Sequence, residues 1–301
     1  MPRRESNREK RIRESRERSC RRREKFDEIF NNQEDRNDIE KFYKRQTKGL
    51  PQQINVRVIR HPSVPKVGTE LIDHNGCWKP DNAWENRNIF IIGGGYSLHD
   101  FDFNGLEGQC VIACNDGYKL GAGIAPLCIF GDLMWFVYHW DDGFLSYYKG
   151  QIITPHPEVP KYAKEREAEL LYLHRVIKNV ARAPDCGWYN NTGLSALNLA
   201  GSLGAKTAVL LGFDMHLSSY GANLPTANWY GQAKLKDKVT TKNRDRFNSL
   251  MRKHKNSWTR MDKEMKKVFP KMEVINAYMD SGLDMFPKMD REEAVERFRD
   301  A

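Results

Sequence analysis

The residues best suited to chemistry in this chain are small and polar, and they recur just after short apolar runs. Gly93, Gly94, Gly95 and Ser97 follow Ile89-Phe90-Ile91-Ile92; Asn115 and Asp116 follow Cys110 to Cys114; Asp132 follows the run ending at Phe130; Asp214 and His216 follow Thr207 to Leu211. Three successive glycines permit a sharp turn and a close approach to the main chain, and amides released at a strand end suit a phosphate. Asp214 suits a ribose or substrate hydroxyl, and His216 suits a general base near neutral pH. Asn191, Thr192 and Gly193 add side-chain and backbone donors at a helix start, and Trp229 offers a face on which a base or sugar ring stacks. Each residue also has a plain structural use. The glycines suit a tight loop, Asp132 and Thr192 suit helix caps, Asn115-Asp116 a turn, and Asp214 a loop closure.

These groups need elements to hold them. The apolar runs at 89–92, 110–114, 126–130, 151–154, 207–211 and 273–276 predict buried strands. Thr192 to Leu203, rich in small residues, predicts a helix lying close on a sheet, with Asn191 or Thr192 as its cap. Tyr162 to Arg182 and the basic stretch Arg244 to Val268 also read as helices, and Asp290 to Arg299 as a short charged one. Strands alternating with helices predict an α/β fold with a mostly parallel sheet flanked by helices. The C-terminal ends of parallel strands share one edge, and ligands bind in the crevice outside it. All the polar groups named above except Trp229 stand at such ends or at a helix start, which favours a site. Trp229 falls in Ser218 to Val239, a long polar segment of the length expected for a lid or binding loop.

The 301 residues divide into a basic charged arm (1–48, helical or disordered), a connecting segment with one strand at 54–59 (49–87), a nucleotide-binding domain (88–280) and a tail with a short helix (281–301). Of the formal net charge of +9, +7 lies in Met1 to Lys25, where twelve Lys/Arg face five Glu. The arm suits an acidic partner or nucleic acid, whereas the charge of the remainder says little. No run of 18 apolar residues predicts a membrane span. The six cysteines form no CxxC pair and no HExxH occurs, so no metal ligand set is expected. No lysine of the P-loop kind follows the glycines. An N-terminus without an apolar signal core and cysteines inside apolar runs point to a cytoplasmic protein.

Taken in order, Gly93-Gly94-Gly95-Tyr96-Ser97-Leu98, Cys114-Asn115, Thr192-Gly193 and Leu211-Gly212-Phe213-Asp214 resemble the bacterial sialyltransferases of glycosyltransferase family 42. They are also similar to the related DUF115 group, which includes flagellin-glycosylation proteins and an archaeal pterin pyrophosphokinase. The resemblance covers about residues 88 to 276. It implies a Rossmann-like sheet and a nucleotide-activated donor held by the glycine loop, the strand-end asparagine and the Thr-Gly turn, with no tightly bound cofactor. Mg²⁺ enters only under a pyrophosphokinase alternative, in which Asp116, Asp132 and Asp214 would converge on it. Similar phage proteins suggest a phage origin and hence host cytoplasm. The chain departs from the family pattern twice: Gly94-Gly95-Tyr96 stands for the usual Asn-Gly-Pro, and Asn228-Trp229-Tyr230-Gly231 lacks the family's histidine. The expected function is glycosyl transfer to a hydroxyl acceptor, with pyrophosphoryl or nucleotidyl transfer, or binding through the arm alone, as alternatives.

Overall fold

The computed structural model describes residues 63–80, 82–141, 145–215 and 241–300. The charged arm, the strand expected at 54–59, His216, and the long loop with Trp229 lie outside those residues. In chain order the elements are β1 (Asn88–Ile92), β2 (Cys110–Cys114), β3 (Leu127–Ile129), α1 (Leu133–Asp141), β4 (Gln151–Thr154), α2 (Val159–Glu165), β5 (Leu171–Tyr172), β6 (His174–Val176), β7 (Asp185–Gly187), α3 (Thr192–Ser202), β8 (Thr207–Leu211), α4 (Thr241–Val268), β9 (Glu273–Asn276) and α5 (Arg291–Phe298).

Seven strands form a parallel sheet in the order β5-β4-β3-β2-β1-β8-β9, and β6 pairs with β7 in a separate two-stranded ribbon. A parallel sheet covered on both faces needs continuous apolar strands, and β1, β2 and β8 meet that demand. Ile89, Ile91, Cys110, Ile112, Ala208 and Leu210 face one layer, packed with Leu194 and Leu197 of α3 and Trp258, Met261 and Met265 of α4. Phe90, Ile92, Val111, Ala113, Val209 and Leu211 face the other, packed with Leu98, Phe101, Leu106 and with Ala294 and Val295 of α5. Every residue of α3 from Gly193 to Gly201 is buried, and its small side chains let the helix lie close on the strands.

The order places a topological switch. From β1 the chain steps outward through β2, β3, β4 and β5, then returns through α3 to β8 on the other side of β1. β1 leads on to β2 and β8 to β9, in opposite directions across the sheet, and open α/β sheets bind ligands at such a point.

Tyr162 to Arg182 is not one helix. The helical turn α2 stops at Glu165, Glu167 takes a left-handed backbone (φ 53), and the chain re-enters as β5 and β6. Leu171 and Leu173 are buried on either side of the half-exposed Tyr172, a period of two rather than 3.6, and Leu171 pairs with Ile153 at the sheet edge. The open edge of β4 decided a pattern that local spacing left ambiguous. α1 follows the plain use of Asp132 as a helix cap: its carboxylate accepts from Met134 N at 2.8 Å and Trp135 N at 3.1 Å. No helix among the described residues is long and apolar enough to cross a membrane.

Candidate functional site

At the switch the loops leaving β1 and β8 are tied together. Gly93 N donates to Leu211 O and Gly95 N to Gly212 O, both at 2.7 Å. Both oxygens of Asp214 accept from one residue, Oδ2 from Ser97 N (2.9 Å) and Oδ1 from Ser97 Oγ (2.6 Å), and Asp214 is buried. The glycines are there for close approach rather than for an unusual turn. A Cβ on Gly93 would sit 2.6 Å from Gly212 O, and one on Gly95 would sit 2.2 Å from Asp214 Oδ1. Two of the three amides offered to a phosphate by the sequence are thus committed to backbone carbonyls. Asp214 orders the turn instead of presenting its carboxylate to an acceptor.

The N-terminus of α3 lies over these loops. Asn191 caps it, its Oδ1 accepting from Leu194 N at 3.3 Å. Thr192 Oγ1 lies 3.4 Å from Asn115 Oδ1 at the end of β2, and a Cβ on Gly193 would meet the Phe213 ring at 2.4 Å. Phe213 is therefore wedged between Gly93 and Gly193, which explains both glycines by packing. The sequence-predicted residues Gly93, Gly95, Ser97, Asn115, Asn191, Thr192, Gly193 and Asp214 come together at this edge, with Gly94 between two of them.

Backbone strain gathers at the same place. Asn115 (φ 51), Tyr189 (φ 48), Asn190 (φ 55) and Met215 (φ 53) are left-handed and lie at strand ends or just before α3. Non-glycine residues held so cost roughly 1–3 kcal/mol each and persist where the surroundings over-determine them. A clamp does this for Tyr189: its hydroxyl donates to Glu264 of α4 at 2.5 Å, and the same carboxylate oxygen accepts from Val180 N at 2.8 Å. Burial, with Glu264 beside it, raises the Tyr189 phenol, so it remains the proton donor.

His254 of α4 completes the rim and was missed from the sequence. Its Nδ1 is 3.1 Å from Asn191 Nδ2. Because Asn191 Oδ1 is spent as the helix cap, the amide NH₂ faces the ring; Nδ1 accepts and the proton of a neutral imidazole sits on Nε2. Burial lowers the His254 pKa, which keeps the ring neutral at pH 7. One signal was legible: His254 stands four residues before Trp258 and three more before Met261, so it shares the buried face of α4.

The other predicted acids are engaged elsewhere. Asp116 accepts from Trp135 Nε1 and Lys119 Nζ, both at 2.7 Å, and lies 3.2 Å from His139 Nε2. Burial pushes its carboxyl up, but His139 and Lys119 outweigh that and hold it well below the usual carboxylate range. Asp132 caps α1. Asp100 and Asp102, which were not among the expected site residues, are engaged as well: Asp100 lies 2.8 Å from Arg291, and Asp102 accepts from Asn104 N at a short helical turn. Asp116, Asp132 and Asp214 do not converge, and among the described residues no three His, Cys, Asp or Glu side chains group as a metal site.

Two solved structures of the sialyltransferase CstII from Campylobacter jejuni are similar to this chain, one in complex with the substrate analogue cytidine-5'-monophosphate and one with CMP-3FNeuAc. Both have a TM-score of 0.39 and 14% sequence identity. The first alignment covers 68% of this chain and 85% of that one, and the second covers 67% and 85%. No protein-family model matches the chain, and no curated protein does. A likeness of this degree assigns no function.

Proposed function

We propose that this chain is a glycosyltransferase-like enzyme that binds a nucleotide-activated sugar at the C-terminal edge of its sheet and transfers the sugar to a hydroxyl acceptor. The observation that carries this is the meeting of Asn115 with Thr192 at the capped, strained start of α3, beside the β1/β8 switch. A helix N-terminus there offers the amides of Thr192 and Gly193, which have no partner among the described residues, and a positive dipole end to phosphate, and the two short polar side chains offer donors and acceptors to a nucleoside. The order of motifs seen in the sequence supports the same choice. The Mg²⁺-dependent alternative finds no such support, since its three carboxylates each serve another group.

In the proposed reaction an acceptor oxygen attacks the anomeric carbon while the bond from that carbon to the phosphate oxygen breaks and the phosphate leaves with the electron pair. The dipole end of α3 and the Nε2–H of His254 stabilise the charge on the departing phosphate. His216 remains the proposed acceptor of the hydroxyl proton, while Asp214 acts through Ser97 and the turn. Trp229 keeps its proposed stacking role.

The test is a thermal-shift panel of nucleoside mono- and diphosphates and nucleotide-sugars on the full chain, with and without Mg²⁺. A ligand at 100 times its Kd adds about 2.7 kcal/mol. The expected result is a Mg²⁺-independent shift with one nucleotide class that disappears in Asn115→Ala and Thr192→Val. No shift with any of these ligands, or one that both variants retain, overturns the site. Once a donor is found, His254→Gln is expected to lower kcat about 10²-fold with little change in nucleotide affinity. An unchanged kcat would remove His254 from the mechanism.

A further inference from the structure

On the other flank of the same sheet edge stands a cation without a counter-ion among the described residues. Arg175, in β6, reaches across to the ends of two strands of the main sheet. Its Nε donates to Pro155 O after β4 (2.9 Å) and its Nη2 donates to Gly131 O after β3 (3.0 Å). The guanidinium lies 4.3 Å from the centre of the Trp188 ring. Trp188 is itself seated on Gly131, where a Cβ would fall 1.8 Å from the indole, so no larger residue fits beneath the ring as it stands. Trp188 Nε1 donates to Asn190 Oδ1 at 2.9 Å, and this ties the pair to the strained turn that opens α3.

Arg175 is half-buried and makes no ion pair among the described residues. The carboxylate in electrostatic reach, Asp132, is occupied at the cap of α1, and His156 beside it is held toward its neutral form by burial and by Arg175. A desolvated guanidinium with neutral carbonyl partners only is an incomplete arrangement, because carbonyls satisfy donors but leave the charge unbalanced. Nη1 has no partner among the described residues. Arginine's planar fork suits a second, anionic acceptor on its remaining N–H groups, and stacking on indole holds the fork's plane still.

We infer that Arg175, stacked on Trp188 over Gly131, forms an oxyanion-binding subsite on the β3/β4 side of the crevice, separate from the Asn115–Thr192 contact. Its ligand chemistry is a phosphate or a carboxylate. The subsite stands on the geometry of Arg175 alone, and only its use for a group of the nucleotide-activated substrate rests on the function proposed above.

The experiment titrates the full chain with inorganic phosphate, pyrophosphate and acetate at constant ionic strength, read by Trp fluorescence and by melting temperature. The expected result is saturable binding of at least one anion, weakened about tenfold or more in Arg175→Gln and only partly kept by Arg175→Lys, which retains the charge but not the fork. Binding by the phosphates alone names a phosphate subsite, and binding by acetate a carboxylate one. No saturable binding by wild type, or equal binding by wild type and both Arg175 variants, overturns the inference; should Arg175→Gln fail to fold, Arg175→Lys carries the comparison. Anion binding without any nucleotide response fails the proposed function alone, and a nucleotide response without Arg175-dependent anion binding fails only the subsite.

Discussion

Gly95→Ala is expected to destabilise the protein by about 3 kcal/mol and to remove the nucleotide response proposed above. The added methyl would stand 2.2 Å from Asp214 Oδ1 and 2.5 Å from Gly212 O, and the second of these is backbone and has little room to give. Relief requires moving the loop that leaves β8, which breaks the Gly95 N–Gly212 O bond or the two bonds from Ser97 to Asp214. Asp214→Ala probes the same clamp from the other side, since it leaves a buried amide and hydroxyl of Ser97 without these acceptors, at a cost of about 1–3 kcal/mol. Because both changes break one arrangement, their double variant should cost less than the sum. Urea unfolding of the four proteins measures this. Additive costs, or a Gly95→Ala protein within about 0.5 kcal/mol of wild type, would show that the turn does not depend on the clamp.

Asp116→Ala is expected to cost about 3–5 kcal/mol, the range for removing one member of a buried charged network. Three groups lose their shared acceptor at once: Trp135 Nε1, Lys119 Nζ and His139, whose other nitrogen is held by Tyr118 at 2.9 Å. The site also predicts a pH dependence of definite sign. A carboxyl whose folded pKa lies below its unfolded value of about 3.9 contributes stability that is fully present above that value and is lost as pH falls through the folded pKa. Wild type should therefore lose stability on acidification below about pH 4, and Asp116→Asn should lose less over the same interval. Denaturant midpoints along an acid series decide it. Parallel curves for the two proteins would mean that Asp116 is not the group whose ionisation is coupled to folding.

Much of the fold was present in the order of the residues. Uninterrupted apolar runs such as Ile89 to Ile92 and Thr207 to Leu211 are what a parallel sheet covered on both faces requires, and the small residues of Thr192 to Ser202 announce a helix that must lie close on it. Each polar group at a strand end was therefore placed at one edge before any contact was known. Local spacing failed where a partner decided the outcome, as at Leu171, whose strand exists because Ile153 offers an open edge.

The site divides along the same line. Sequence alone brought forward Asn115, Asn191 and Thr192, because a strand end and a helix cap are local features. It offered the glycines and Asp214 as ligand-binding groups, whereas Phe213 packing and Ser97 account for them in the fold. Which side of Gly93 faces Gly212, and which oxygen of Asp214 meets Ser97, depend on residues more than a hundred positions apart. Glu264 and Arg175 were silent, and His254 showed only its place on the buried face of α4, because their partners lie on other elements of the fold. A histidine on a basic helix, a glutamate on the same helix, or an arginine in a charged segment gains its meaning only from the neutral cap, the strained tyrosine or the neutral carbonyls that the folded chain sets against it. Sequence determined where the candidate site lies on this protein, at the C-terminal edge of the sheet; tertiary contact decided which of its polar groups stay uncommitted, because burial and pairing engage some of them and leave others uncompensated.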